Sequence, residues 1–175
     1  KDITINVDDS VQVGIRFHLK NNTDPTILFF HGNGEIATDY DDIAEVYNKK
    51  NINFIIAAFR GYGFSTGIPN AENTKSDAHF ILDYVLNNLK EKNYSESLFI
   101  MGRSLGSVSV LELSNRYPKD FSGLIIESGF ADEEPLFTLI GTTPDSVGFK
   151  KEDGFLNGEK IKNYTGPLLI IHAEQ

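Results

Sequence analysis

Five short apolar runs constrain this chain more than any other feature. They are Thr26–Phe30 (TILFF), Asn53–Phe59 (NFIIAAF), Ser97–Met101 (SLFIM), Leu124–Glu127 (LIIE) and Leu168–His172 (LLIIH). A run with no polar alternation offers no face to water, so each predicts a strand covered on both sides. Helical periodicity fills most of the gaps. Ile36, Tyr40, Ile43, Ala44 and Tyr47 predict a helix over Glu35–Lys50. Ala78, Ile81, Leu82, Val85 and Leu89 form one apolar face, with Thr74 and Asp77 marking a capped start. Ser104–Tyr117 predicts a third helix, stopped by Pro118. Buried strands alternating with amphipathic helices imply an α/β fold: a mostly parallel central sheet with helices on both faces. Asp2–Val7 and Val11–Leu19 instead alternate apolar and polar residues about a DDS turn, which predicts an antiparallel hairpin at one edge.

The length of 175 residues fits a single domain over 1–175, without internal repeats or an interdomain linker. Phe130–Thr165 breaks the pattern, with two prolines, four glycines and little periodicity. It is too long for a plain connection and is expected to be a lid or cap insertion over 130–165. A net charge of −9 leaves no basic surplus for phosphates, so no nucleic-acid partner is expected. With no cysteine there is no disulfide, thiol nucleophile or thiolate metal site. The four histidines stand at no metal-ligand spacing, so no metal is expected. No run approaches the ~20 apolar residues of a membrane span. A cytoplasmic location is the expectation, although a leader or anchor removed before Lys1 is compatible with it. The abundance of Asn, Ile and Lys is read as the codon bias of an AT-rich genome and points to a bacterial source.

The chemistry is concentrated where strands end. Gly102-Arg103-Ser104-Leu105-Gly106 follows a buried strand and opens a helix, the setting that makes G-x-S-x-G a nucleophile elbow. A sharp strand-to-helix turn pushes the serine hydroxyl into the site. Side chains at the flanking glycine positions would collide with the turn. The helix N-terminus favours developing negative charge. His31-Gly32-Asn33-Gly34 ends the first central strand, and its glycines let an amide N–H turn toward the nucleophile. The expected oxyanion donors are therefore the N–H groups of Asn33 and Leu105. His31 reads as a structural histidine holding that loop. Arg60–Gly67 (RGYGFSTG) reads as a glycine-shaped turn fixed by Arg60, with substrate contact as the alternative.

Taken together, FFHGNGE, FRGYGFSTGIP, SDAHFILDYV, MGRSLGS, IIESGF and EKIKNYTGPLLIIHAE resemble the α/β-hydrolases, and the Bem46-like serine hydrolases in particular. The resemblance spans nearly the whole chain except the lid. It implies an eight-stranded sheet, a serine–acid–histidine triad and no cofactor. It also implies that the catalytic aspartate and histidine, with the final helix and strand, lie beyond Gln175. Within the chain, His172 matches a strand-end histidine that is not catalytic in that family. Glu127 reads as a structural or lid-facing carboxylate, and nothing supports Glu174 as the acid.

The expected function is hydrolysis of an ester or related acyl bond, with a small-molecule or acyl substrate as partner. Leu136, Phe137, Leu139, Ile140 and Phe149 in the lid point to an apolar pocket. The competing expectation is a non-catalytic module of the same fold. The sequence does not indicate an oligomeric state.

Overall fold

The computed structural model describes residues 1–139, 141–150 and 154–173. Its sheet has seven strands: β1 (Asp2–Asn6), β2 (Gln12–His18), β3 (Thr26–Phe30), β4 (Asn53–Ala57), β5 (Leu98–Arg103), β6 (Gly123–Glu127) and β7 (Leu168–Ile171). The spatial order is β1-β2-β4-β3-β5-β6-β7. β1 and β2 form the expected antiparallel hairpin, and β2 runs antiparallel to β4. β4, β3, β5, β6 and β7 are parallel to one another. The chain reverses its direction of travel between β4 and β5, so β3 and β5 are neighbours and their carboxyl ends lie side by side. In open α/β sheets this is where sites form.

The apolar runs of β3, β4, β5 and β6 lie between helices on the two faces of the sheet, as side chains alternate across each strand. Leu28 and Phe30 point to one face, where they join Ile55, Ile100 and Leu124 beneath α2 (Ala71–Glu91) and α3 (Gly106–Arg116). Ile27 and Phe29 point to the other, with Phe54, Ile56 and Met101 against Ala44 of α1 (Asp41–Lys49). The predicted face Ala78, Ile81, Leu82, Val85 and Leu89 is buried in full.

Several boundaries differ from expectation for identifiable reasons. The helix expected from Glu35 begins as a 3₁₀ turn at Ala37–Tyr40 and continues as α1. Ile36 is extended, its N–H is taken by the Asp39 carboxylate, and Glu35 is drawn back toward the β3 loop. α2 is capped at Asn70, a turn before Thr74. The Asn70 and Asn73 side chains each accept the other's backbone N–H at 2.8 Å, a reciprocal cap made of two amides. Thr74 lies inside the helix, and Asp77 serves Arg60. The Arg60 guanidinium donates paired bonds of 2.6 and 2.8 Å to Asp77, fixing the β4–α2 loop onto α2.

β7 departs furthest from expectation. It pairs with β6 in parallel register, yet all four of its residues are 42–57% exposed. An apolar run reports what a strand prefers to bury. Among the described residues nothing covers this one, which holds the sheet edge. Between β6 and β7 run α4 (Glu134–Leu139), a 3₁₀ turn at Asp145–Val147 and α5 (Asn157–Asn163). Asn157 is buried and its side-chain amide donates to the Phe130 carbonyl, closing the base of this segment. Phe137 packs against Phe149. Ile140, also named as a lid residue, lies outside the described residues. No described helix is long and apolar enough to cross a membrane.

Candidate active site

Ser104 occupies a left-handed backbone conformation, φ 49°. For a residue with a Cβ this costs of order 1–3 kcal/mol and persists only where the surroundings impose it. Two glycines do so here. A Cβ on Gly102 would stand 2.4 Å from the Gly106 carbonyl oxygen, and one on Gly106 would stand 2.0 Å from the Phe30 carbonyl oxygen. The strand therefore turns into α3 with its backbone pressed against the end of β3. The helix expected from Ser104 accordingly begins at Gly106, because Ser104 is not helical.

The elbow is anchored on each side. The Ser104 N–H donates to the Glu127 carbonyl at 2.9 Å, extending the β5–β6 ladder one step past the strand. Its carbonyl accepts the N–H and the hydroxyl of Ser107, at 2.9 and 2.6 Å. The side chain is half-buried, and among the described residues none hydrogen-bonds its hydroxyl. The Leu105 carbonyl accepts from Val108, while the Leu105 N–H has no acceptor among the described residues.

The loop after β3 lies beside this turn. His31 is fully buried between Phe59 and Tyr62. Its Nδ1 lies 2.8 Å from the Gly32 carbonyl, which can only accept, so Nδ1 carries the proton. Burial lowers the His31 pKa, keeping the ring neutral. Nε2 has no partner. Because a trans peptide directs its C=O and N–H to opposite sides, holding the Gly32 carbonyl turns the Asn33 N–H away from His31. That N–H also has no acceptor among the described residues. The Asn33 side chain is held separately, by the Tyr62 hydroxyl donating to Oδ1 at 2.5 Å. The RGYG loop thus touches the HGNG loop, a contact that neither motif announces by itself.

A cluster of charge that sequence reasoning missed ties these parts together. The Glu35 carboxylate accepts the Gly32 N–H at 2.6 Å, the Tyr40 hydroxyl and the Arg103 guanidinium. Arg103 also lies 3.5 Å from Glu127. Burial, aided by the nearby Glu127 and Asp39 charges, pushes the Tyr40 phenol up to about 12, so it remains a proton donor. Beside the cluster is a groove of about 360 Å³ lined by Phe29, Tyr40, Tyr47, Met101, Arg103 and Glu127.

The structure brings Ser104, Leu105 and the Asn33 loop together at the carboxyl ends of β3 and β5. Among the described residues it does not bring a base to Ser104. His18 lies on β2 beside Asp41, His79 lies on α2 beside Glu112, and His31 is committed to Gly32. His172 is exposed, just past β7. Glu127 faces Arg103, and Glu174 lies outside the described residues. Among the described residues no group of three or more His, Cys, Asp or Glu side chains could hold a metal ion.

Comparison with known proteins agrees with this fold. Residues 21–144 match the model of the family described as serine aminopeptidase, S33. Protein bem46 of Schizosaccharomyces pombe is 32% identical over 166 residues, covering 84% of this chain and 54% of that protein. Human alpha/beta hydrolase domain-containing protein 17C is 28% identical over 157 residues, covering 86% and 43%. The chain thus spans about half the length of these curated relatives. They come from yeast and mammals and give the expected bacterial source no support. Among solved structures, Est1E from Butyrivibrio proteoclasticus with bound ferulic acid superposes with a TM-score of 0.76 at 18% identity, covering 97% of this chain and 78% of that one. Monoglyceride lipase from Saccharomyces cerevisiae gives 0.66 at 20%, covering 84% and 49%. At these identities the likeness is one of fold.

Proposed function

The chain belongs to the serine aminopeptidase S33 family of α/β-hydrolases and is Bem46-like, and from that premise we propose that it carries the nucleophile and oxyanion hole of a serine hydrolase acting on an ester or related acyl bond. One observation carries the reading. Ser104 is held at φ 49° between two glycines whose replacement would drive a Cβ into backbone. Strain of this kind collects at functional positions and has no evident use in a scaffold.

In this reading Ser104 Oγ attacks the substrate carbonyl carbon while its proton passes to a histidine acting as general base in the full-length protein. A carboxylate holds that histidine in the correct tautomer. The tetrahedral oxyanion is received by the N–H groups of Asn33 and Leu105, each free of a competing acceptor among the described residues. Such a donor is typically worth ~3–4 kcal/mol of barrier. Collapse expels the alcohol, thiol or amine, protonated by the histidine. Water then releases the acyl group by the reverse proton path. No step calls for a cofactor. The 130–165 segment shapes access as a lid, and the bond cleaved is a carboxylester, a thioester or an amide, which share this constellation of groups.

A fluorophosphonate probe applied to the full-length protein should label Ser104 stoichiometrically, located by mass spectrometry. Labelling elsewhere with Ser104 untouched removes the assignment. An unreactive Ser104 in folded full-length protein would favour a non-catalytic module.

A further inference from the structure

We propose that Glu35 is a positioning residue which, through its ion pair with Arg103, sets the spacing between the two oxyanion donors. The proposal rests on the reading of Ser104 as nucleophile and of Asn33 and Leu105 as donors.

The geometry is specific. Gly32, whose N–H Glu35 accepts, immediately precedes Asn33. Arg103, whose guanidinium Glu35 accepts, immediately precedes Ser104. One carboxylate therefore grips the residue before each half of the site. It uses different oxygens, Oε2 for Gly32 and Tyr40 and Oε1 for Arg103. A carboxylate has the acceptor capacity for all three, and bonds to charged groups are the shorter and stronger kind. The loop is shaped around the carboxylate. A Cβ on Gly32 would stand 2.9–3.0 Å from the Glu35 carboxylate atoms. On its other side the guanidinium lies 3.3 Å from the Tyr40 hydroxyl and 3.5 Å from Glu127, whose carbonyl holds the Ser104 N–H.

A half-exposed ion pair adds little to global stability. Its placement here is accounted for by geometry instead. β3 and β5 are fixed by the sheet and the elbow is anchored to the Glu127 carbonyl, whereas the loop leaving β3 is held at Gly32 by the Glu35 carboxylate. The Glu35–Arg103 pair ties that loop to the last residue of β5, one residue from the Asn33 donor through Gly32 and two residues from the Leu105 donor. Releasing it lets one amide drift relative to the other. That weakens binding of the oxyanion in the transition state and leaves ground-state binding nearly unchanged.

The test is a double-mutant cycle in the full-length protein with p-nitrophenyl butyrate as substrate. Glu35→Gln can keep the acceptor for Gly32 and Tyr40 while turning its NH₂ toward Arg103, so it cuts only the link. Arg103→Met cuts the same link from the other side. Each single variant is expected to lose about 10- to 100-fold in kcat, the scale of a misplaced or lost oxyanion donor, with KM within about twofold. The double variant is expected to be no worse than the weaker single, because one interaction is removed twice. Arg103→Lys, which keeps a single charge contact, should recover part of kcat. Wild-type kcat in both single variants, losses that multiply in the double, or a change confined to KM overturns the proposal. If Glu35→Gln does not fold, Arg103→Met, on the exposed side of the pair, reads the same link. Ser104→Ala separates the two readings. Full turnover in that variant removes the nucleophile assignment and this proposal with it. Loss of turnover there, with wild-type rates in the Glu35 and Arg103 variants, removes the positioning role alone.

Discussion

Gly106 is packed against Phe30 so closely that a Cβ on the glycine would stand 2.0 Å from the Phe30 carbonyl oxygen. Backbone cannot retreat as a flexible side chain can, so this contact fixes the separation of the first turn of α3 from the end of β3. Gly106→Ala is expected to destabilise the protein by about 2–3 kcal/mol or more, at the upper end of the cost of overpacking. It should also abolish fluorophosphonate labelling of Ser104. Urea denaturation and probe labelling on the same preparation check both halves.

The strain at Ser104 gives an effect of opposite sign. Ser104→Gly removes the nucleophile and also the Cβ that makes φ 49° unfavourable. It should raise stability by about 1 kcal/mol over Ser104→Ala, since alanine keeps the Cβ. Equal stability of the two variants would mean that the turn is not under backbone strain. Both should lose four or more orders of magnitude in kcat (~10⁴–10⁶) if serine is the nucleophile.

The Arg60–Asp77 pair is the most enclosed in the molecule among the described ion pairs, with side chains 13% and 5% exposed. Asp77→Ala leaves a buried guanidinium with only Asp8, at 3.5 Å, for company. It should cost about 3–5 kcal/mol. Arg60→Lys should be a poor substitute, because an ammonium cannot make the paired contact. Chemical denaturation of both variants measures this directly.

Glu112 on α3 makes stability depend on acidity. A hydrogen bond from His79 is the largest cause holding its carboxyl at about 2, down from 4.5, and Lys160 of α5 at 2.7 Å adds to it against the opposing effect of burial. A carboxyl depressed in the folded state stabilises above its unfolded value and loses that contribution as pH falls through the folded one. The contribution is therefore complete above about pH 5 and is lost between pH 4.5 and about 2. Glu112→Gln should cost about 2–3 kcal/mol at pH 7 and close to nothing near pH 2. Urea unfolding of both proteins across that range tests the sign and the window.

The strands and the elbow were legible because each is written locally. TILFF, SLFIM and LIIE carry their own burial signal, and G-x-S-x-G carries its turn. What escaped was set by neighbours that sequence order does not give. β3 and β5 touch although β4 lies between them in the chain, so nothing in HGNGE or MGRSLGS taken alone foretells that Glu35 meets Arg103. The exposure of β7 escaped for the same reason, since coverage belongs to whatever packs on a strand and not to its composition. The start of α2 escaped because Asn70 and Asn73 perform the reciprocal cap that a Ser or Thr paired with Glu more often performs.

The single proton on His31 has a further use. It sits on Nδ1 because the Gly32 carbonyl faces it, and the buried Nε2 is left bare. If the Gly32–Asn33 peptide flipped, the carbonyl would leave and an N–H would take its place, a partner that suits only an unprotonated Nδ1. The proton would then have to move to Nε2. The imidazole tautomer, read from its nitrogen resonances, is therefore a gauge of which way the Asn33 amide points. It can be followed with no substrate present.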